Sequence, residues 1–119
     1  MYRICRYLYI YTLQFEPRRG RGKTLSPSPI KSRSLEIGVP IFTPENIKED
    51  KETKRNINDL NADLYVVIAF GQILPLDVLK QPPLGCWNCH ASLLPRWRGA
   101  GPIQWSLLSG DKKTGVAIM

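Results

Sequence analysis

Leu64 to Phe70 is an unbroken run of seven apolar residues, introduced by Asn61-Ala62-Asp63 and stopped by Gly71. It is too short for a buried helix and shows no polar alternation. The run is therefore expected to be a central strand covered on both faces, as a parallel sheet requires. Around it the chain is heavily punctuated by ten prolines and nine glycines, which argues against a helical bundle or coiled coil. Gly85 to His90 reads as a second strand, and Val116 to Met119 opens a third apolar run in which the sequence ends. Ser28-Pro29 has the form of a helix cap followed by Pro in the first turn, with Gly38 beyond the end. Pro102 to Ser109 repeats the pattern, with Pro at its start and Gly110 after it. Val39 to Phe42 is expected to be a brief strand. Pro44 to Asn58 is expected to be a surface helix or two short pieces, anchored by Ile47 and Ile57. Tyr7 to Phe15 favours a strand by composition, and Arg18 to Lys23 a loop. Strands alternating with helices predict an α/β fold with an open, mostly parallel sheet.

At 119 residues the chain is one small domain at most, and no apolar stretch approaches the roughly 20 residues needed to span a bilayer. Its net charge of +7 lies entirely in the first third: residues 1–34 carry eight basic residues against Glu16 alone, and the remainder is balanced. A basic arm on a neutral body fits a polyanionic partner, a targeting segment or a solvated tail. Three cysteines are too few and too uneven for a secreted disulfide scaffold, and residues 1–15 make a poor secretory signal. A reducing compartment is expected.

Cys86-Trp87-Asn88-Cys89-His90 matches the attachment pattern of a c-type haem. On a strand, however, Cys86 and Cys89 face opposite ways with Cα atoms about 10 Å apart, so neither haem attachment nor a disulfide between them is expected. The same alternation places Asn88 and His90 on one face, about 6.6 Å apart along the strand. They sit at its C-terminal end, where open α/β sheets put their active sites. An amide donor and an imidazole suit acyl-type transfer, in which a carbonyl oxygen gains negative charge and an amine loses a proton. By spacing alone, His90 fits better as a hydrogen-bonded structural residue than as a catalytic one.

The stretch from Asn88 to Gln104 strongly resembles the formyltransferase family that uses 10-formyltetrahydrofolate, marked by Asn-x-His, then Ser-Leu-Leu-Pro, then an Arg-Gly turn. Ala69-Phe70-Gly71-Gln72-Ile73-Leu74-Pro75 is similar to the same family's folate-pocket edge. The basic stretch at residues 18–31 resembles an insertion loop of the branch whose acceptor is initiator methionyl-tRNA. The resemblance implies a Rossmann-like formyltransferase fold, incomplete at both ends, with a partial catalytic domain over residues 18–119 and an atypical segment at 1–17. It implies that Asn88 polarises the formyl oxygen and that His90 manages protons as the amino group attacks. Ser92, Leu93, Leu94 and Pro95, together with Gln72, Ile73 and Leu74, would hold the folate. Arg21 and Lys23 would meet tRNA phosphates, a role suited to flexible cations. Arg96 and Arg98 match family positions, with solvated loop charges an equal reading.

Residues 1–17 do not match the family's opening strand, loop and helix. None of Asp50, Asp59, Asp63, Asp77 and Asp111 stands where the family's catalytic Asp belongs, which would come shortly after Met119. The C-terminal tRNA-binding barrel has no counterpart. The 119 residues as written are therefore expected to be an internal piece with a foreign N-terminus and with little formyl-transfer activity. The expected setting is a monomer without metal, haem or membrane contact, in mitochondria or alternatively in a plastid or bacterial cytoplasm. The alternatives in function are formyl transfer to a small amine and a non-enzymatic RNA-binding remnant.

Affinity for charged and uncharged tRNA across a salt series separates these readings. Recognition of the family type is expected to require methionine on the acceptor end. Binding through the basic loop alone is expected to fall steeply with salt and to ignore the esterified amino acid.

Overall fold

A computed structural model describes residues 27–119. The expected strand at Tyr7 to Phe15, the loop at Arg18 to Lys23 and both tRNA-contact candidates, Arg21 and Lys23, lie outside those residues. The described residues divide into two compact units, one comprising residues 27–62 and Phe70–Val78, the other Asp63–Ala69 and Leu79–Met119.

In the first unit, helix α1 spans Pro29–Glu36 and α2 spans Lys51–Asp59. Ser28 caps α1 by accepting a hydrogen bond from the Lys31 amide, and Pro29 fills the first turn, where a missing N–H costs nothing. The helix closes on Gly38, which takes φ of +69°. The Gly38 and Val39 amides then turn back to the carbonyls of Leu35 and Ser34. That closure explains why Val39 to Phe42 is not the strand expected from its composition. The Val39 N–H is committed to the helix end, and Pro40 has none to offer a sheet. Asp50 caps α2 through the amide and hydroxyl of Thr53, and these bonds hold its carboxyl below the usual carboxylate range. Ile47 and Ile57, the two anchors expected from the sequence, are both buried, as is Val78. Ion pairing of Lys54 with Asp77 joins α2 to the start of the short helix α3 (Leu76–Leu79).

The second unit holds a three-stranded sheet in the order β1 (Tyr65–Ile68), β2 (Cys86–His90), β3 (Ala117–Ile118), with helix α4 (Pro102–Leu108) between the last two strands in the chain. β1 and β2 run parallel, with Tyr65 opposite Cys86 and Ile68 opposite Cys89. β3 returns antiparallel, pairing Ile118 with Cys89 and Ala117 with His90, so the described sheet is mixed. The α/β class is as expected, but the central strand differs in two respects. It stops at Ile68 because Ala69 turns to φ of +48°, outside strand geometry. It is also covered on one face only. Tyr65 is buried, whereas Val66, Ile68, Trp87 and Ile118, which register places on the opposite face, are 51–65% exposed. Among the described residues no helix is long and apolar enough to cross a membrane.

One buried group in the first unit works against its fold. The Ser34 hydroxyl is fully buried and has no hydrogen-bond partner among the described residues. Ser34→Ala is expected to be neutral or stabilising by up to about 1 kcal/mol, because it removes an unmet polar atom. Ile47→Val, a methylene lost from a filled site, is expected to cost about 1 kcal/mol. Urea midpoints by circular dichroism check both signs.

Candidate active site

Pairing on both sides holds Cys86–His90 extended, so Asn88 and His90 lie on one face of β2 as the alternation requires. The Asn88 backbone exchanges two hydrogen bonds with Met119, at 2.7 and 3.1 Å, which fixes the strand at that point. Its half-buried carboxamide has no hydrogen-bond partner among the described residues. His90 is the last residue of the strand, and its Nε2 lies 2.9 Å from the carbonyl oxygen of Trp97. A carbonyl can only accept, so this contact assigns the proton to Nε2 and leaves the Nδ1 lone pair open.

The loop that supplies that carbonyl begins directly after β2. The Ser92 amide donates to the His90 carbonyl at 2.8 Å, and the Ser92 hydroxyl donates to the Arg96 carbonyl at 2.8 Å. Ser92 is fully buried, so its hydroxyl holds the loop together. Leu93 is exposed and packs over Gly115, where an added Cβ would come within 2.7 Å of Leu93 Cδ2. Leu94 is half-buried and Pro95 exposed.

Beyond them, Arg96 and Trp97 are held by Asp111. Arg96 forms a two-pronged pair with its carboxylate, Nε to Oδ2 at 2.9 Å and Nη2 to Oδ1 at 2.8 Å. The Trp97 indole N–H donates to Oδ2 at 2.7 Å. The Arg96 guanidinium also lies 4.2 Å from the centre of the Trp97 ring, which in turn stacks on Trp105 of α4. Arg96 is thus a partnered loop residue, while Arg98 is exposed.

Neither Trp97 nor Asp111 was among the site residues expected from the sequence. Arg96 and Asp111 are fifteen positions apart with a helix between them, and no local pattern links them. Gln72, Ile73 and Leu74 belong to the other unit. There the Gln72 carboxamide is used at both ends: Oε1 accepts from the Ile47 amide and Nε2 donates to the Pro44 carbonyl, at 2.9 and 3.0 Å. Ile73 is almost fully exposed and Leu74 half-buried.

Of the two cysteines in the pentapeptide, Cys86 pairs with Tyr65 across the strands and burial pushes its thiol up, away from the thiolate that ligation or nucleophilic attack needs. No group of three or more His, Cys, Asp or Glu side chains able to hold a metal occurs among the described residues.

The Arg96 pair and the Trp97 indole together lower the Asp111 carboxyl from its ordinary 3.8 to about 2. A carboxyl with a lower pKa folded than unfolded stabilises the fold in full above its unfolded value. That contribution disappears as the pH falls through the folded value. The Trp97–Trp105 stack is therefore expected to persist down to about pH 4 and to be lost toward pH 2. In Asp111→Asn this acid transition should vanish, and near-ultraviolet circular dichroism reads it.

A family model described as formyl transferase matches residues 16–119. Proteins named methionyl-tRNA formyltransferase from Synechococcus sp. (strain WH7803) and Synechococcus sp. (strain CC9605) are 64% and 65% identical over 106 residues. One of the same name from Prochlorococcus marinus (strain MIT 9303) is 60% identical over 106 residues as well. Each alignment covers 89% of this chain and 31% of the relative, so the chain spans about a third of the length of the relatives it matches. Their cyanobacterial origin is consistent with the plastid or bacterial-cytoplasm alternative and lends no support to a mitochondrial one. With the match running through both strands of the parallel pair and the loop after them, the chain belongs to the formyl transferase family.

Proposed function

We propose that the protein carrying this chain transfers a formyl group from 10-formyltetrahydrofolate to the α-amino group of initiator methionyl-tRNA. The observation that carries this reading is the face of β2 on which Asn88 and His90 stand together. One offers an amide and the other an Nδ1 lone pair, and neither group has a partner among the described residues. The names of the relatives support the choice of acceptor.

The folate donor supplies the activated formyl group, and the residues of the chain do the rest. The Asn88 carboxamide donates to the formyl oxygen as that oxygen gains charge. His90 receives at Nδ1 the proton that the attacking amine sheds. Its Nε2–H stays bonded to the Trp97 carbonyl, which then faces an imidazolium and stabilises it. The formyl carbon exchanges one C–N bond for another, and the proton taken by His90 is returned to the departing nitrogen.

Leu93, Leu94 and Pro95 offer an apolar edge to the folate. Ser92 contributes by shaping that edge, since its hydroxyl is already engaged. Gln72 contributes by holding the turn at Pro44 to Ile47. Arg21 and Lys23 reach tRNA phosphates. The setting is a plastid or a bacterial cytoplasm, and the protein acts as a monomer. The basic stretch at residues 18–31 favours tRNA over a small amine as acceptor.

An antibody to residues 88–105 captures the endogenous protein for intact-mass measurement and for assay of labelled formyl transfer. Methionyl-tRNA is expected to be formylated and free methionine not. Introduced into that same protein, Asn88→Ala is expected to lower turnover by about 10²–10³ and His90→Ala by about 10²–10⁴. Transfer to a small amine alone, or a His90→Ala protein within about tenfold of the parent, would overturn the reading.

A further inference from the structure

His90 owes its orientation to the Trp97 carbonyl, and Trp97 is an unusual residue to hold a carbonyl still. Its φ is +59°, a left-handed conformation that a bulky side chain adopts only when its surroundings impose it. The Trp97 indole is held by Asp111. The Asp111 backbone is set by the end of α4, where Gly110 takes φ of +68° and the Gly110 and Asp111 amides donate to the carbonyls of Leu107 and Ser106. From that fixed point one carboxylate binds two of the Arg96 side-chain nitrogens and the Trp97 indole N–H, all within 2.9 Å. A negative charge at the C-terminal end of a helix opposes the helix dipole, so helix stability alone would not put an acidic residue there.

We propose that Asp111 is a positioning residue for His90. By clamping Arg96 and Trp97 from the end of α4, it aims the Trp97 carbonyl at the imidazole and so decides which ring nitrogen keeps the proton. The clamp reaches His90 through one residue: Asp111 holds the Trp97 side chain, and the Trp97 backbone oxygen holds Nε2 at 2.9 Å. Ser92 braces the same turn from the other side through the Arg96 carbonyl. Without Asp111 the left-handed turn at Trp97 loses that restraint, the carbonyl swings away, and the ring is free to exchange tautomers or rotate. The consequence for catalysis rests on the reading of His90 given above. The geometric claim does not.

His90 is the only histidine in the 119 residues, so its ring nitrogens give unambiguous ¹⁵N resonances in a protein of this 119-residue sequence. The parent is expected to show a single Nε2–H tautomer with a slowly exchanging ring proton. Asp111→Ala is expected to speed that exchange by about fivefold or more, the factor that one hydrogen bond of ordinary net strength represents. The backbone amides of Cys89, His90 and Ile118 should keep their parental shifts and protection. Asp111→Asn, which retains an acceptor oxygen for the indole, should recover part of the protection.

Trp97→Phe keeps a ring in the stack but removes the donor to Asp111, and should speed exchange as Asp111→Ala does. It serves as the test if Asp111→Ala fails to fold. Ring-proton exchange within about twofold of the parent would overturn the proposal, since a lost hydrogen bond predicts more. So would loss of amide protection across β2 and β3 in step with the ring proton, because Asp111 would then act through the whole fold. A His90→Ala protein that still transfers formyl groups would instead sink the function of His90 and leave the exchange result standing.

Discussion

The parallel pairing of Tyr65–Ile68 with Cys86–Cys89 is the constraint on which the site depends. It keeps Cys86–His90 extended, and extension alone separates the two cysteines and brings Asn88 and His90 to one face. The antiparallel return of Ala117–Ile118 completes the restraint on the other side, down to the paired backbone of Asn88 and Met119. A pentapeptide that could in principle curl around a haem is thereby committed to presenting an amide and an imidazole side by side. The chemistry of the site follows from the pairing more than from the residues' separate reactivities.

What the strand cannot do is orient an imidazole at its own end. That task falls to the turn at residues 91–98, which is built almost wholly from hydrogen bonds: Ser92 to the His90 and Arg96 carbonyls, His90 to the Trp97 carbonyl, and Arg96 and Trp97 to Asp111. Polar bonds suit the purpose because they fix direction, which apolar packing does only weakly. The apolar side chains of the same turn, Leu93 and Pro95, stay exposed. The turn thus divides its labour, with polar atoms holding geometry and apolar side chains at the surface.

The exposed sheet face carries a related lesson. Val66, Ile68, Trp87 and Ile118 are apolar and uncovered, although an unbroken apolar run reads as a strand buried on both sides. The composition of the run records the environment for which it is suited, while the described chain supplies cover for one face only. The short strand has a local cause of its own, the left-handed turn at Ala69. In the same way, Val39 to Phe42 has the composition of a strand but not the hydrogen bonds, since the end of α1 takes the Val39 amide. The uncovered face arises because strand propensity is a statement about partners, and the partners of a sheet face are not local.

Local chemistry made much of this protein legible from its residues in order. The caps at Ser28 and Pro29, the closures at Gly38 and Gly110, the anchors Ile47 and Ile57, and the shared face of Asn88 and His90 each depend on atoms a few positions apart. Rules of helix and strand geometry reach that far. The roles of Gln72 and Asp111 were decided only in three dimensions. Gln72 bridges to Pro44 and Ile47 across more than twenty residues, and Asp111 finds Arg96 and Trp97 from beyond a helix. A side-chain hydrogen bond requires two groups within about 3 Å, and only the folded backbone brings such distant positions that close.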